Sequence, residues 1–331
     1  MSKKMIINHA MCKMINAVIL GLILSLASCS QKAVSGNEAV AESPAEVPVV
    51  FNADSAYANV ARQVSFGPRV PGTDAHRQCG DWLAARLRAA GAKVTEQTAT
   101  LKAFDGTSLP MKNIFAQFNP KAENRLLLLA HWDCRPWADN DPDEGNHSRP
   151  VDGANDGASG VGVLLELARL IGEKAPQSGV DILFVDAEDW GAEGNDDSWA
   201  LGAKYFAENP PVEGYFPDEA ILLDMVGDKD AVFCKEYFSE QAAPGLAARV
   251  RAAAADEGVS ERFPNIMGSA VTDDHVKLIE NGIPAVDIID YRVDQQSFAP
   301  TWHTAADNLD NISRKTLGDV GKVITRIVYT R

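Results

Sequence analysis

The sequence predicts an α/β fold for residues 48–331: three layers, α/β/α, around a central mixed, largely parallel sheet. Two observations carry this. Short, nearly all-apolar runs recur at Leu126–Ala130, Val180–Val185, Ala220–Leu223 and Ala285–Ile289, and runs of this length without polar interruption suit strands covered on both faces. Helical patterns lie between them, and strands that alternate with helices bury both faces of one sheet.

The elements follow in order. Ser55–Val64 has helical spacing. A second helix starts near Thr73, runs through Trp82, Leu83 and Leu87, and stops at Gly91, a residue free to take the left-handed turn that ends helices. Strands are expected around Val94–Ala99 and Asn113–Phe118, ahead of the four apolar runs. Val161, Leu164, Leu165, Ala168 and Ile171 form one helical stripe, and Ala242–Ala255 reads as one alanine-rich helix. Leu317, Val320, Val323, Ile324, Ile327 and Val328 make a terminal amphipathic helix. No internal repeat is present.

The first 47 residues read differently. Residues 1–28 hold three lysines and no acid, with an apolar run from Met14 to Leu26 that is short for a membrane span. Leu26-Ala27-Ser28-Cys29 resembles the lipobox of bacterial lipoproteins. That resemblance implies a signal peptide over 1–28, lipid on the Cys29 thiol, and a cell-envelope protein facing periplasm or exterior. The alternative is an ordinary signal peptide with an incidental cysteine. Residues 29–47, rich in Ala, Ser, Glu, Pro and Val, read as a tether. Of the other cysteines beyond the leader, Cys79, Cys134 and Cys234 allow at most one bridge, and none sits in a CxxC pair. The net charge of −15 repels phosphate backbones, so nucleic acid is not an expected partner.

Chemistry-bearing residues cluster where the strands end. Leu126–Ala130 leads into His131-Trp132-Asp133, Val180–Val185 into Asp186-Ala187-Glu188-Asp189, and Ile221–Leu223 into Asp224. Ligands in open α/β sheets bind outside the carboxyl ends of the strands. Asp156, in Gly153-Ala154-Asn155-Asp156-Gly157, and His303, in Thr301-Trp302-His303-Thr304, add further candidates. Carboxylates with imidazoles suit Zn²⁺. Each residue alone also has an ordinary reading: Asp156 as a helix cap, Asp224 as a turn residue, His303 as a hydrogen-bonded core histidine. The acidic run Asp139, Asp141, Asp143 and Glu144 is interrupted by Pro142 and reads as a solvated loop rather than a calcium site.

The order of these motifs resembles the zinc-dependent aminopeptidase superfamily, and Phe66-Gly67-Pro68-Arg69 with Pro71-Gly72 also fits that group. Within it, Leu222-Leu223-Asp224-Met225-Val226-Gly227, Val271-Thr272-Asp273-Asp274-His275 and Phe298 through Trp302-His303 resemble the animal-type glutaminyl-peptide cyclotransferases and their bacterial relatives. The resemblance implies one zinc per chain, held by Asp156, Asp189 and His303. Glu188 would shuttle protons, Asp273 and Asp224 would share its hydrogen-bond network, and Trp302 and Phe298 would wall the pocket, joined by Trp190 or Trp199. Asp189 stands where the animal enzymes carry glutamate, and Thr272 where they carry glutamine. The implied substrates are peptides or proteins with N-terminal glutamine. The rival reading is a zinc aminopeptidase with two ions on His131, Asp156, Asp189, Asp224 and His303, and Glu188 activating a water. A metal-free binding or structural lipoprotein is the third reading.

Overall fold

The computed structural model describes residues 49–331; the proposed leader, the tether and Cys29 lie outside the described residues. Asn52 accepts from the Ser55 amide at 3.1 Å and starts helix α1, Ala53–Val64. Thr73 accepts from the His76 amide at 3.2 Å and starts α2, Asp74–Ala89, with Gly91 just beyond its end at φ +89°. Strands β1, Lys93–Lys102, and β2, Ser108–Phe118, form an antiparallel pair longer than the apolar spacing suggested. The buried strands follow: β3, Arg125–His131; β4, Gly179–Val185; β5, Glu219–Asp224; and β6, Ala285–Ile289. Helix α3, Ala158–Glu173, joins β3 to β4, and α4, Leu201–Glu208, precedes β5. Helices α5, Tyr237–Ala242, α6, Pro244–Asp256, and α7, Asp274–Glu280, lie between β5 and β6. A two-residue ribbon, β7 (Tyr291–Arg292) with β8 (Ser297–Phe298), and helix α8, Arg314–Thr330, complete the chain.

The single alanine-rich helix expected over Ala242–Ala255 is two helices. Ala243 leaves helical geometry at φ −139°, ψ 53°, and Pro244 opens α6 at a position where its missing N–H costs nothing. Alanine composition hid the break.

The sheet order is β1-β2-β4-β3-β5-β6. The pairs β4–β3, β3–β5 and β5–β6 are parallel, while β1–β2 and β2–β4 are antiparallel. Alternate residues of one strand enter opposite cores. Leu126, Leu128 and Ala130 pack with residues of α1, α2, α3, α6 and α8, whereas Leu127 and Leu129 pack with Ala203 and Phe206 of α4 and Leu278 of α7. Each fully buried leucine contributes roughly 1.5–3 kcal/mol, and β3 has four of them. This two-sided burial makes the runs read as continuous hydrophobic segments.

Two glycines let α3 meet the strand ends. A Cβ on Gly157 would lie 2.3 Å from the His131 carbonyl oxygen, and one on Gly160 would lie 2.1 Å from that of Leu223. The start of α3 is thereby seated against the carboxyl ends of β3 and β5. Cys79, Cys134 and Cys234 are all free thiols. No helix among the described residues is long and apolar enough to cross a membrane.

Candidate active site

Parallel pairing brings the ends of β4, β3 and β5 side by side, and the chain turns sharply as it leaves two of them. Ala187 and Met225, just past β4 and β5, adopt φ +56° and +47°, a left-handed geometry uncommon for side-chain-bearing residues. These turns present Glu188 and Asp189 beyond β4, while Asp224 ends β5. Asp156 arrives in the turn before α3, and His303, itself at φ +55°, arrives in the loop before α8. Asp156, Glu188, Asp189, Asp224, Asp273 and His303 all line one cleft of about 460 Å³.

Within the cleft, Asp156, Asp189 and His303 place one ligand atom each within 4.8 Å of one another, all buried. His303 Nε2 lies 3.1 Å from Asp189 Oδ1 and 3.7 Å from Asp156 Oδ2. Both carboxylate oxygens of Asp189 lack a hydrogen-bond partner among the described residues. A buried carboxylate in that condition is costly unless a cation or proton satisfies it. Two carboxylates and an imidazole converging on orphaned oxygens fit Zn²⁺. His131, Asp156 and Asp224 form a second such group, but there His131 Nε2 hydrogen-bonds Asp224 Oδ1 at 3.1 Å and stands 2.9 Å from Asp156 Oδ1.

The charge environment separates the carboxyl groups. Burial pushes Asp156 up, but His131 and then His303 hold it below the ordinary carboxylate range. Burial raises Glu188 well above that range, opposed by His131 and reinforced by Asp273 and Asp189. Asp273 rises to about 7, first from burial and then from Asp224. These are the cases of a desolvated group and of like charges sharing a site.

Supporting side chains fix the candidates. Asp133 accepts from the amides of Glu188 and Asp189, both at 3.2 Å. Asp307 accepts from the amides of Asn155 at 2.7 Å and Asp156 at 3.2 Å, and burial followed by Asp156 raises it to about 8. Arg69 donates to the carbonyls of Asp152, Gly153 and Trp132, bracing the Gly153–Gly157 turn. Asp273 caps α7. The Val271 amide beside it bonds Glu236 at 3.1 Å, and Glu236 also accepts from the Phe238 and Ser239 amides and pairs with His275 Nε2 at 3.0 Å.

The aromatic wall is partly as expected from the sequence and partly different. Trp302, Phe298 and Trp199 line the cleft, with Tyr291 and Phe238 beside them. The Trp302 ring stacks on His303 at 3.9 Å between centroids, and Trp199 lies parallel to it at 6.0 Å. Trp190 does not reach the cleft. It packs edge-on against Trp137 at 5.5 Å and donates to Asp105, because it leaves the acidic pair toward β1 and β2. Thr272 lines the cleft. Asp186 turns away, bonding His76 and the Lys112 amide. Around Glu188, Asp224 Oδ1 bonds His131, Asp273 Oδ2 has no partner among the described residues, and Asp273 acts on Glu188 through its charge.

Sequence reasoning missed Arg135, Asp139 and Asp307 as site residues. Asp139, read as solvated loop, pairs with Arg135 and stands 3.6 Å from His303 Nδ1. Its spacing from His131 held no usable signal.

A mixed sheet with this cleft at its strand ends defines a metallopeptidase-type α/β protein, and the chain belongs to peptidase family M28, which matches residues 113–328. Its relatives include glutaminyl cyclases and Zn-dependent exopeptidases. It is 52% identical to the glutaminyl cyclase of Porphyromonas gingivalis, covering 84% of this chain and 97% of that one with a TM-score of 0.82. A Zn-dependent exopeptidase from Parabacteroides distasonis is 51% identical, covering 86% of this chain and all of that one, with a TM-score of 0.84. The glutaminyl-peptide cyclotransferase of Drosophila melanogaster is 26% identical over 282 residues, 78% of this chain and 75% of that protein.

Proposed function

We propose that the chain is a glutaminyl-peptide cyclotransferase that converts the N-terminal glutamine of peptides into pyroglutamate and releases ammonia. The observation that carries this reading is the position of Glu188. It lies in the cleft beside the Asp156–Asp189–His303 group, outside that group, with no hydrogen bond to its carboxylate among the described residues. Such a carboxyl is free to move a proton. The resemblance to glutaminyl cyclases at about half sequence identity supports the same reading.

An N-terminal glutamine holds its α-amine near its own γ-amide carbon. Glu188 takes a proton from the amine as the nitrogen–carbon bond closes the five-membered ring. It then gives a proton to the amide nitrogen as that carbon–nitrogen bond breaks, and the products are a pyroglutamyl peptide and ammonia. A carboxyl that accepts and then donates works best with its pKa above the ordinary range, the direction that burial and Asp273 give Glu188. Trp199, Phe298 and Trp302 keep water from the ring-closing atoms and orient the glutamine side chain. Asp156, Asp189 and His303 would hold zinc, one ion per chain, which when bound would supply the Lewis acidity that polarises the side-chain amide.

A second reading, a dinuclear aminopeptidase, draws support from the His131–Asp156–Asp224 group. The likeness to glutaminyl-peptide cyclotransferases favours the first. Incubation with a glutamine-initiated peptide and mass spectrometry for loss of ammonia tests the cyclase; release of the free N-terminal residue instead would favour the aminopeptidase. We further infer from the sequence alone that Cys29 carries lipid and holds the enzyme at the cell envelope.

A further inference from the structure

Arg135 sits four residues beyond His131, almost wholly buried, with 2% of its surface exposed. Its Nη1 donates to the carbonyl oxygens of Asp189 at 3.1 Å and Gly191 at 2.9 Å, and it lies 3.7 Å from Asp189 Oδ1. Its Nε and Nη2 grip both oxygens of Asp139, at 3.1 and 2.5 Å. The guanidinium carbon stands 4.9 Å from the Trp199 ring centroid and 5.0 Å from that of Trp137.

Aspartate reaches a metal through one methylene, so an error in its backbone position passes directly to the carboxylate. The backbone of residue 189 is held on both sides, its N–H by Asp133 and its C=O by Arg135. We propose that Arg135 is a positioning residue that sets the reach of Asp189 toward the bound cation and fixes the Trp199 wall in the same contact set. This rests on Asp189 being a zinc ligand. Lysine cannot replace it: one ammonium cannot span two carbonyls and a carboxylate while lying between indole rings. Asp139 balances its charge and stands 3.6 Å from His303 Nδ1.

The test is zinc affinity, measured by competition with a chromogenic chelator on the purified protein, alongside thermal unfolding of the metal-stripped forms. Arg135→Met should weaken zinc binding about 10–100-fold, the usual effect of losing a group that orients a ligand. Asp189→Glu alone should also weaken it, since the longer side chain overshoots a backbone held in place. In the Arg135→Met/Asp189→Glu double variant, the longer reach meets a relaxed backbone, and affinity should recover above Arg135→Met alone. A merely structural role predicts two losses that add. Wild-type affinity in Arg135→Met, or additive losses in the double variant, overturns the proposal. If Arg135→Met does not fold, Arg135→Lys takes its place in the same comparison. If the wild-type protein takes up no zinc, it is the ligand assignment that fails, a separate result.

Discussion

Replacing Glu188 by glutamine separates proton transfer from metal binding. The substitution keeps the side chain's length and exchanges one oxygen for NH₂. The Glu188 carboxylate has no hydrogen-bond partner among the described residues, while its amide is held by Asp133 and its carbonyl accepts from the Ala200 amide at 3.2 Å. Both backbone bonds survive the change, so unfolding temperature and zinc content should stay near wild type. A positioned acid–base group contributes about 10²–10⁴ in rate, or roughly 3–5 kcal/mol at the transition state, and cyclisation should fall by that factor. The assay is ammonia release from a glutamine-initiated peptide at saturating substrate, paired with zinc analysis and a thermal melt of the same sample. Near-full cyclising activity with normal zinc would refute the assignment and make Asp273 the next candidate, because it lines the same cleft with one unpartnered oxygen.

Asp156→Ala and His303→Ala should each lose zinc and activity together, whereas Asp189→Asn should weaken zinc, with metal analysis of the purified variants as the check. Glu236 gives a pH test of stability. Burial alone would raise it, but His275 and the Ser239 donors pull it down to about 2 from 4.5. Its contribution, roughly 3 kcal/mol, is therefore complete above pH ~4.5 and lost as pH falls through about 2. The stability gap between wild type and Glu236→Gln in urea should close over that range; a gap constant from pH 5 to 2 would contradict the assignment. Cys29→Ser should abolish lipidation and change precursor cleavage, read by detergent partitioning of the processed protein.

The fold class was readable because each central strand is buried on both faces, which leaves an unbroken apolar signature. The break at Pro244 was harder to see, since the alanines on both sides share one helical composition. Strand ends also announced His131, Glu188, Asp189 and Asp224, because polar residues directly after an apolar run have one end of the sheet to occupy. Loop residues gave no such cue. Asp307 acts through the amides of Asn155 and Asp156, some 150 positions away, and Arg135 through carbonyls more than 50 positions away. Such bonds leave no local pattern. Trp190 and Trp199 share one loop and one residue type, and only packing separates them.

The reach of Asp307 across the chain has a consequence for how the protein assembles. The turn bearing Asp156 is held by a residue of the segment just before α8, the same segment that carries His303. The proposed cation site is therefore complete only when this late segment docks. A cation bound there adds stability as its free concentration rises above its dissociation constant. Chelation removes that increment from the docking of residues 303–313 before it touches the β-sheet. In hydrogen exchange, the amides of Asn155 and Asp156 should become the early reporters of cation loss, ahead of those in β3 and β4.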